Sequence, residues 1–394
     1  MALVIVYFPP DLSSFQDDLI YTVTDTVKVA DPVTYPDFKF IGDVYIGGVL
    51  VARIKKIPNP QTGVGIFNIG QIVRSYSQTI FNPSTSVQSQ EIGLGAFALS
   101  VVMKFGEEYS FTDFLNVTVD SARVFFNNYN FRLNGSASSL IGKTTDFLTK
   151  RDLANTTGRV LFTSQYYFIP VYKGSTTPFN VSVSPIAANG TVGAPVNIAI
   201  TPTLINNLQV LNVSPAAINA AHPGLLPTSA YGYQVNAGTV NNLYVQIICS
   251  LIYQPYMLHF MNKYGGFDSQ MFNLVSRNTF DINRTQFSKL PYTVDGSGNA
   301  TWFNSNNVYN ETDSTYSVQF TESVLLNSTL LSDGEYIWLK DLLFSPMIYM
   351  EENGYFYPVT IQDSTYETVK TVNDGPTNLT ITLKFGKTYN AQYR

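Results

Sequence analysis

The chain has 394 residues, of which 13% are charged and 14% aromatic, with 26 tyrosines, 27 phenylalanines and a formal net charge of −5. Disorder is excluded, because disordered chains are rich in charge and poor in aromatics, and a negative balance gives no overall field to attract nucleic acid. A surface this short of charge is built from Asn, Thr, Ser, Tyr and Gln or is hidden against neighbours, and few charges with many aromatics is the composition of buried interface cores.

The N-terminal run Met1-Ala-Leu-Val-Ile-Val-Tyr-Phe-Pro-Pro10 is apolar but has no basic leader and ends on two prolines. It does not read as a secretory signal. No stretch reaches the eighteen or so apolar residues of a membrane helix, so no membrane insertion is expected. Without export, triplets such as Asn116-Val-Thr and Asn378-Leu-Thr reflect composition and not glycosylation. The clearest local unit follows at 38–57, where two alternating stretches flank Gly47-Gly48. A two-residue glycine connection suits the positive-φ turns of hairpins, and Pro58-Asn-Pro60 ends the second strand. Arg53, Lys55 and Lys56 are the one basic cluster and read as the polar face of that strand. Ile72, Val73, Tyr76 and Ile80 fit one face of a short helix. Strands are expected again at 96–105 and 159–172.

From 174 to 262 there is no Asp, Glu, Lys or Arg. Alternating stretches at 179–183, 196–200 and 208–213 predict a charge-free β insertion or subdomain over 174–241. It separates an N-terminal β domain (1–173) from a C-terminal β domain (242–394). The third region opens on the apolar run 243–253, whose single cysteine, Cys249, is expected in the core. One cysteine excludes an intrachain disulfide and a cysteine metal cage. Strands at 257–262 and 267–275 flank the turn Lys263-Tyr-Gly-Gly266. A helix is expected near 333–344: Ser332-Asp-Gly-Glu335 is a capping-box pattern, and Ile337, Trp338, Leu339, Leu342 and Leu343 give an apolar stripe. Ser345-Pro346 stops it. Strands are expected at 347–350, 355–361, 366–372 and 379–385, with Glu352-Asn-Gly354 as a hairpin turn. The fold class is therefore all-β, in several sandwich-like or barrel-like units with one or two short helices.

Chemistry-bearing motifs are scarce. The two histidines differ in context: His259 sits in an apolar strand, where a hydrogen-bonded imidazole is the usual outcome, and His222 precedes Pro223 in a loop. No G-x-S-x-G elbow frames a nucleophile. The acidic pairs Asp17-Asp18, Glu107-Glu108 and Glu351-Glu352 are sequence neighbours, which point to opposite faces of a strand and suit a two-carboxylate glycosidase poorly. Gly63-Val-Gly65 lacks the third glycine of a dinucleotide loop, and Asp295-Gly-Ser-Gly-Asn299 reads as a hairpin tip and not a calcium loop. No catalytic, metal-binding or cofactor-binding residue is assigned. Trp302, Tyr166 and Tyr167 are candidate glycan or partner contacts, against the ordinary reading of such rings as core or interface aromatics.

Several blocks in a fixed order carry a resemblance. Asp43-Val-Tyr45, Pro58-Asn-Pro60, Gly63-Val-Gly-Ile-Phe-Asn-Ile69 and Ile72-Val-Arg-Ser-Tyr76 come first, then Met261-Asn-Lys-Tyr-Gly-Gly-Phe-Asp268. Trp338-Leu-Lys-Asp-Leu-Leu343, Ser345-Pro346, Tyr357-Pro-Val-Thr-Ile361, Asp363-Ser-Thr-Tyr366 and Asn378-Leu-Thr-Ile-Thr-Leu-Lys-Phe385 close the series. Together they resemble virion structural proteins of tailed phages infecting Bacteroides-type hosts, over about residues 38–80 and 255–390. The charge-free segment departs from the pattern. The resemblance implies a tail-tip, baseplate or tail-adaptor component, made in the host cytoplasm and resident in the virion tail. Its expected partners are copies of itself and neighbouring tail proteins. Two other readings stay open: a carbohydrate-binding module that meets a cell-surface glycan, and a glycan-cleaving enzyme.

Overall fold

The computed structural model describes residues 3–14, 18–77, 80–93, 95–126, 145–149, 151, 153, 157–161, 166–238, 242–249, 252–303, 306, 308–309, 311–362, 378–386 and 389–393. Asp17, Asn241, Asn304, the run Asp363-Ser-Thr-Tyr366 and the strand expected at 366–372 lie outside the described residues. With 52% of the chain in strands and 9% in helices, the protein is all-β, built of several sheets with only short helices. Two compact units are formed: one from 1–249, 259–270 and 337–346, the other from 250–258, 271–336 and 347–394.

The first unit opens with a sandwich. One sheet orders Val49–Lys56, Lys39–Ile46, Ala98–Tyr109 and Thr112–Val119, and Arg123–Phe126 also pairs with Ala98–Tyr109. The other joins Val4–Tyr7, Ile20–Thr24 and Val64–Asn68. Period two decides what lies between them: Phe40, Val44, Leu99, Val101, Met103 and Phe105 from the first sheet pack with Tyr21, Val23 and Phe67 from the second. Two glycines interlock the layers. A Cβ on Gly42 would meet the Phe67 ring at 2.8 Å, and one on Gly65 would meet the Phe40 ring at 2.5 Å. Each phenylalanine therefore sits where the opposite strand carries no side chain.

The hairpin Lys39–Ile46/Val49–Lys56 turns through Gly47 and Gly48, both at positive φ, as the glycine pair predicts. Its basic face is answered by acids. Arg53 makes two hydrogen bonds to Asp43, of 2.7 and 2.9 Å, and Lys55 pairs with Glu108 and Asp113 at 2.6 and 2.8 Å. Glu107, the neighbour of Glu108, is buried against Lys28 instead. The two carboxylates thus serve different partners, as neighbours on a strand should.

The helix expected around Ile72 is shorter than its pattern. It spans Gly70–Ser75 and buries Val73, while Tyr76 and Ile80 are exposed because the helix has ended before them. The strand expected over 159–172 is two strands, Thr157–Leu161 and Phe168–Lys173, in different sheets.

The charge-free stretch contributes to both of those sheets. Asn207–Asn212 lies between Phe168–Lys173 and Gln88–Ile92. Phe179–Ile186, Val196–Ile200 and Gly232–Asn236 join Leu243–Ile248 and Thr157–Leu161 in a five-stranded sheet whose last pair is parallel. Ser214 caps a short helix, Pro215–Ala221, by accepting from the Ala217 N–H. Cys249 is exposed and not a core residue. Period two would turn it inward after Val245 and Ile247, but the strand ends at Ile248.

In the second unit Ile348–Glu352, Tyr355–Ile361, Thr380–Phe385, Asp313–Asn327 and Arg277–Ser288 follow one another across a sheet, and Tyr389–Tyr393 pairs with Asp313–Asn327 beyond Thr380–Phe385. Asn353 and Gly354, both at positive φ, make the expected hairpin turn. The capping box is present: the Ser332 N–H donates to Glu335 Oε2 (3.0 Å) and the Glu335 N–H donates to Ser332 Oγ (3.3 Å). The helix it starts, Asp333–Trp338, gives way to a second, Lys340–Leu343.

Candidate functional site

Two features stand apart from ordinary packing: a buried polar junction in the first unit and an exposed ribbon in the second. The junction starts from a turn. Strands Tyr256–Met261 and Phe267–Phe272, buried at every position, are joined through Asn262. Its amide oxygen accepts from the N–H groups of Tyr264 (2.9 Å) and Gly266 (3.2 Å), and its backbone N–H donates to the Gly266 carbonyl (2.7 Å). Gly265 has φ +82°, and a Cβ on Gly266 would lie 2.3 Å from Pro170. The Asn-Lys-Tyr-Gly-Gly string is thus what this turn requires.

The turn presents Asp268, 3% exposed. Its Oδ2 accepts from Trp338 Nε1 (2.9 Å), Thr149 Oγ1 (2.8 Å) and Asn262 Nδ2 (3.1 Å). Burial pushes the Asp268 carboxyl up to about 6, against the opposing pull of those three donors. Arg151 lies 4.8 Å from the Trp338 ring and hydrogen-bonds the Tyr167 hydroxyl. His259 Nδ1 and Ser269 Oγ are 2.8 Å apart, and Ser269 Oγ also accepts from the Phe168 N–H (2.7 Å). His259 is fully buried and packs against Phe81 and Phe168. Its hydrogen-bonded place in the core is that of a structural histidine.

Of the residues singled out in the sequence, Trp338 and Leu342 are buried as expected. Trp338 packs with Phe260 (ring centroids 5.6 Å apart), Asp268 and Arg151. Ile337 leaves the apolar stripe and is 46% exposed. Tyr167 is 2% exposed, which removes it as a surface contact, because its hydroxyl is taken up by Arg151 inside the unit. Tyr166 is half-buried, its ring 5.6 Å from that of Phe168. Trp302 is half-exposed beside a small hairpin, Thr293–Val294/Ala300–Thr301, and the Asp295-to-Asn299 loop is that hairpin's tip.

Trp302 belongs to the second feature. Arg277–Ser288 pairs along its whole length with Asp313–Asn327, and all twelve of its residues are exposed. At about 3.3 Å per residue the strand runs for about 40 Å. It ends the order of its sheet, so among the described residues its outer edge has no strand partner.

Aromatic pairs recur along the ribbon: Phe280 with Phe320 (5.9 Å), Phe287 with Tyr316 (6.3 Å), Tyr292 with Trp302 (6.0 Å) and Phe303 with Tyr309 (5.8 Å). Phe280, Phe287, Trp302 and Tyr309 are between 49% and 76% exposed, and Ile282, Leu290 and Val294 are exposed among them. Single exposed apolar residues are ordinary, and a series of them along one edge of a sheet is less so. The sequence does show alternation at 279–284. What it does not show is that the described residues leave these strands exposed.

Among the described residues no group of three or more His, Cys, Asp or Glu side chains could hold a metal ion, and no helix is long and apolar enough to cross a membrane. No protein-family model matches the chain, and no curated protein matches it. Among solved structures it is similar to native alpha-2-macroglobulin from Escherichia coli spanning domains MG0-NIE-MG1, at 8% identity and a TM-score of 0.21, over 90% of this chain and 95% of that one. So low a score carries no argument about fold or function.

Proposed function

We propose that this chain is a non-enzymatic structural component of a phage tail, a tail-tip, baseplate or adaptor protein that assembles with copies of itself into a symmetric ring in the virion. The observation that carries this reading is the edge of the second unit's sheet: a long exposed strand, Arg277–Ser288, with exposed aromatics along it and its hairpin partner and, among the described residues, an open outer edge. Covering those aromatics on a neighbouring subunit removes apolar surface from water, worth roughly 25 cal/mol per Å². The open edge supports strand addition. The sequence blocks that resemble phage tail proteins support the same reading from another side. Two of them, 261–268 and 338–343, meet in the junction around Asp268. The protein's work is then geometric, rigid β units held in a ring with an arm on each neighbour, and it uses no cofactor.

Mass photometry and negative-stain imaging of the full chain test this. The expected result is a closed oligomer that Phe280→Ser with Phe287→Ser shifts to monomer while circular dichroism and melting stay unchanged. Oligomers of undiminished size in that double variant, or a wild-type chain that stays monomeric at high concentration, would remove the support. A carbohydrate-binding role in host recognition is a second reading, favoured by a cleft in the five-stranded sheet of the first unit.

A further inference from the structure

In that sheet Thr157–Leu161 runs parallel to Leu243–Ile248, which pairs on its other side with Gly232–Asn236. The registers set Thr157 beside Tyr244 and Arg159 beside Gln246, with Gly232 opposite Gln246. These residues share one face. The alternate positions Val160, Tyr233, Val245 and Ile247 are buried on the other. Above the exposed face the chain folds over between Ile186 and Val192, which bridge each other, with Gly190 at φ +81°. Together they enclose a cleft of about 410 Å³, within the size range of small-ligand sites.

The lining has a consistent chemistry. Tyr231 and Tyr244 are 51% and 37% exposed, so parts of both rings face solvent. Gln246 Nε2 donates to the Tyr231 hydroxyl at 2.8 Å. That bond fixes both groups and leaves the Gln246 carbonyl as an acceptor and the Tyr231 O–H as a donor. Thr157 adds a hydroxyl and Arg159 a guanidinium. None of the lining residues is acidic.

A pyranose ring suits such a lining. Its axial C–H face packs on an aromatic ring, and its rim of hydroxyls needs donors and acceptors fixed in direction. We infer that this cleft binds a saccharide unit, stacked on Tyr231 and Tyr244 and hydrogen-bonded by Gln246, Thr157 and Arg159. Among the described residues no pair of carboxylates lines the cleft, where glycoside hydrolysis ordinarily uses such a pair, and the inference is of binding alone. Gly190 and Gly232 keep the floor and wall free of side chains. The inference is independent of ring assembly, since the cleft belongs to a single subunit.

The test is saturation-transfer NMR and calorimetry on the full chain with methyl glycosides of glucose, galactose, N-acetylglucosamine and glucuronic acid, and with short oligomers of each. Saturable binding of at least one of these is expected, weakened about tenfold or more in both Tyr231→Ala and Tyr244→Ala. Both side chains are partly exposed, so the variants should melt as wild type does, and Gln246→Leu should weaken binding without removing a ring. Val33→Ser, at an exposed position outside the cleft, should bind as wild type. Absence of saturable binding by every probe, survival of binding in both tyrosine variants, or its loss in Val33→Ser would overturn the inference.

Discussion

The interlock of Gly42 with Phe67 and Gly65 with Phe40 is set by single atoms, and it makes a sharp prediction. A methyl at either glycine has to displace a ring in a closed core, and overpacking of this kind costs about 1–3 kcal/mol. Gly65→Ala should therefore lower the melting temperature measurably, and an added Phe40→Leu should recover part of the loss. A melt unchanged by Gly65→Ala would show that the two layers part easily.

Asp268 gives a second prediction, for pH. Its folded value, about 6, lies above the ordinary carboxylate value, so between about pH 4 and 6 the folded chain binds more protons than the unfolded one. Stability then falls as pH rises through that window. The loss attributable to Asp268 is on the order of 2–3 kcal/mol. In Asp268→Asn the amide oxygen can keep the Trp338 and Thr149 donors, and the charge is gone. Denaturant melts from pH 4 to 7 should show wild type losing ground to the variant as pH rises. Parallel curves would mean that the carboxyl titrates normally. None of this was legible beforehand, because the three donors come from positions 149, 262 and 338 and converge only in the fold.

Turns and caps were the most legible elements. Gly47-Gly48 and Asn353-Gly354 announce their hairpins because positive φ excludes most other residues. The Ser332–Glu335 box announces its helix because the two side chains answer the two N–H groups exposed at a helix start. Trp338 was expected in the core, but nothing in the sequence indicated that its indole N–H seeks a carboxylate. Trp338→Ala should cost about 3–5 kcal/mol. Trp338→Phe, which keeps most of the ring and removes the donor, should raise the titration midpoint of Asp268, read from its carboxyl carbon by NMR. If Trp338→Ala melted within a degree of wild type, the packing described for this helix would be wrong. The boundaries least legible were those of strands near irregular chain, such as 159–172, where apolar residues continue across the break between two sheets.

At the scale of the molecule, charge separates from neutrality along the chain. In the 39–123 region Lys39 and Lys55 pair with the buried Glu108, Arg53 with the buried Asp43 and Arg123 with the buried Asp120, while 174–262 has no such groups to offer. Within the neutral region Val196–Ile200 is the outermost strand of its sheet, and no Lys guards it. In the proposed ring, hydrogen exchange should therefore be slower between Phe179 and Val213 than in the free chain, with the largest change at 196–200. Identical exchange rates in the free chain and in any oligomer it forms would place this edge in solvent and leave the proposed ring to rest on the edge strand Arg277–Ser288 alone.

The ribbon also has a mechanical side. Its two strands run antiparallel from one root, so a pull on the tip along its length loads both in the same direction and does not peel them apart. The load reaches the rest of the sheet where Ser317 to Phe320 pairs with Tyr389 to Tyr393 and where Ser323 to Asn327 pairs with Thr380 to Lys384. Ladder hydrogen bonds lie across the strands, so the force there acts in shear, and the bonds yield together and not one after another. An arm attached in this way passes tension from its tip to its domain with little extension.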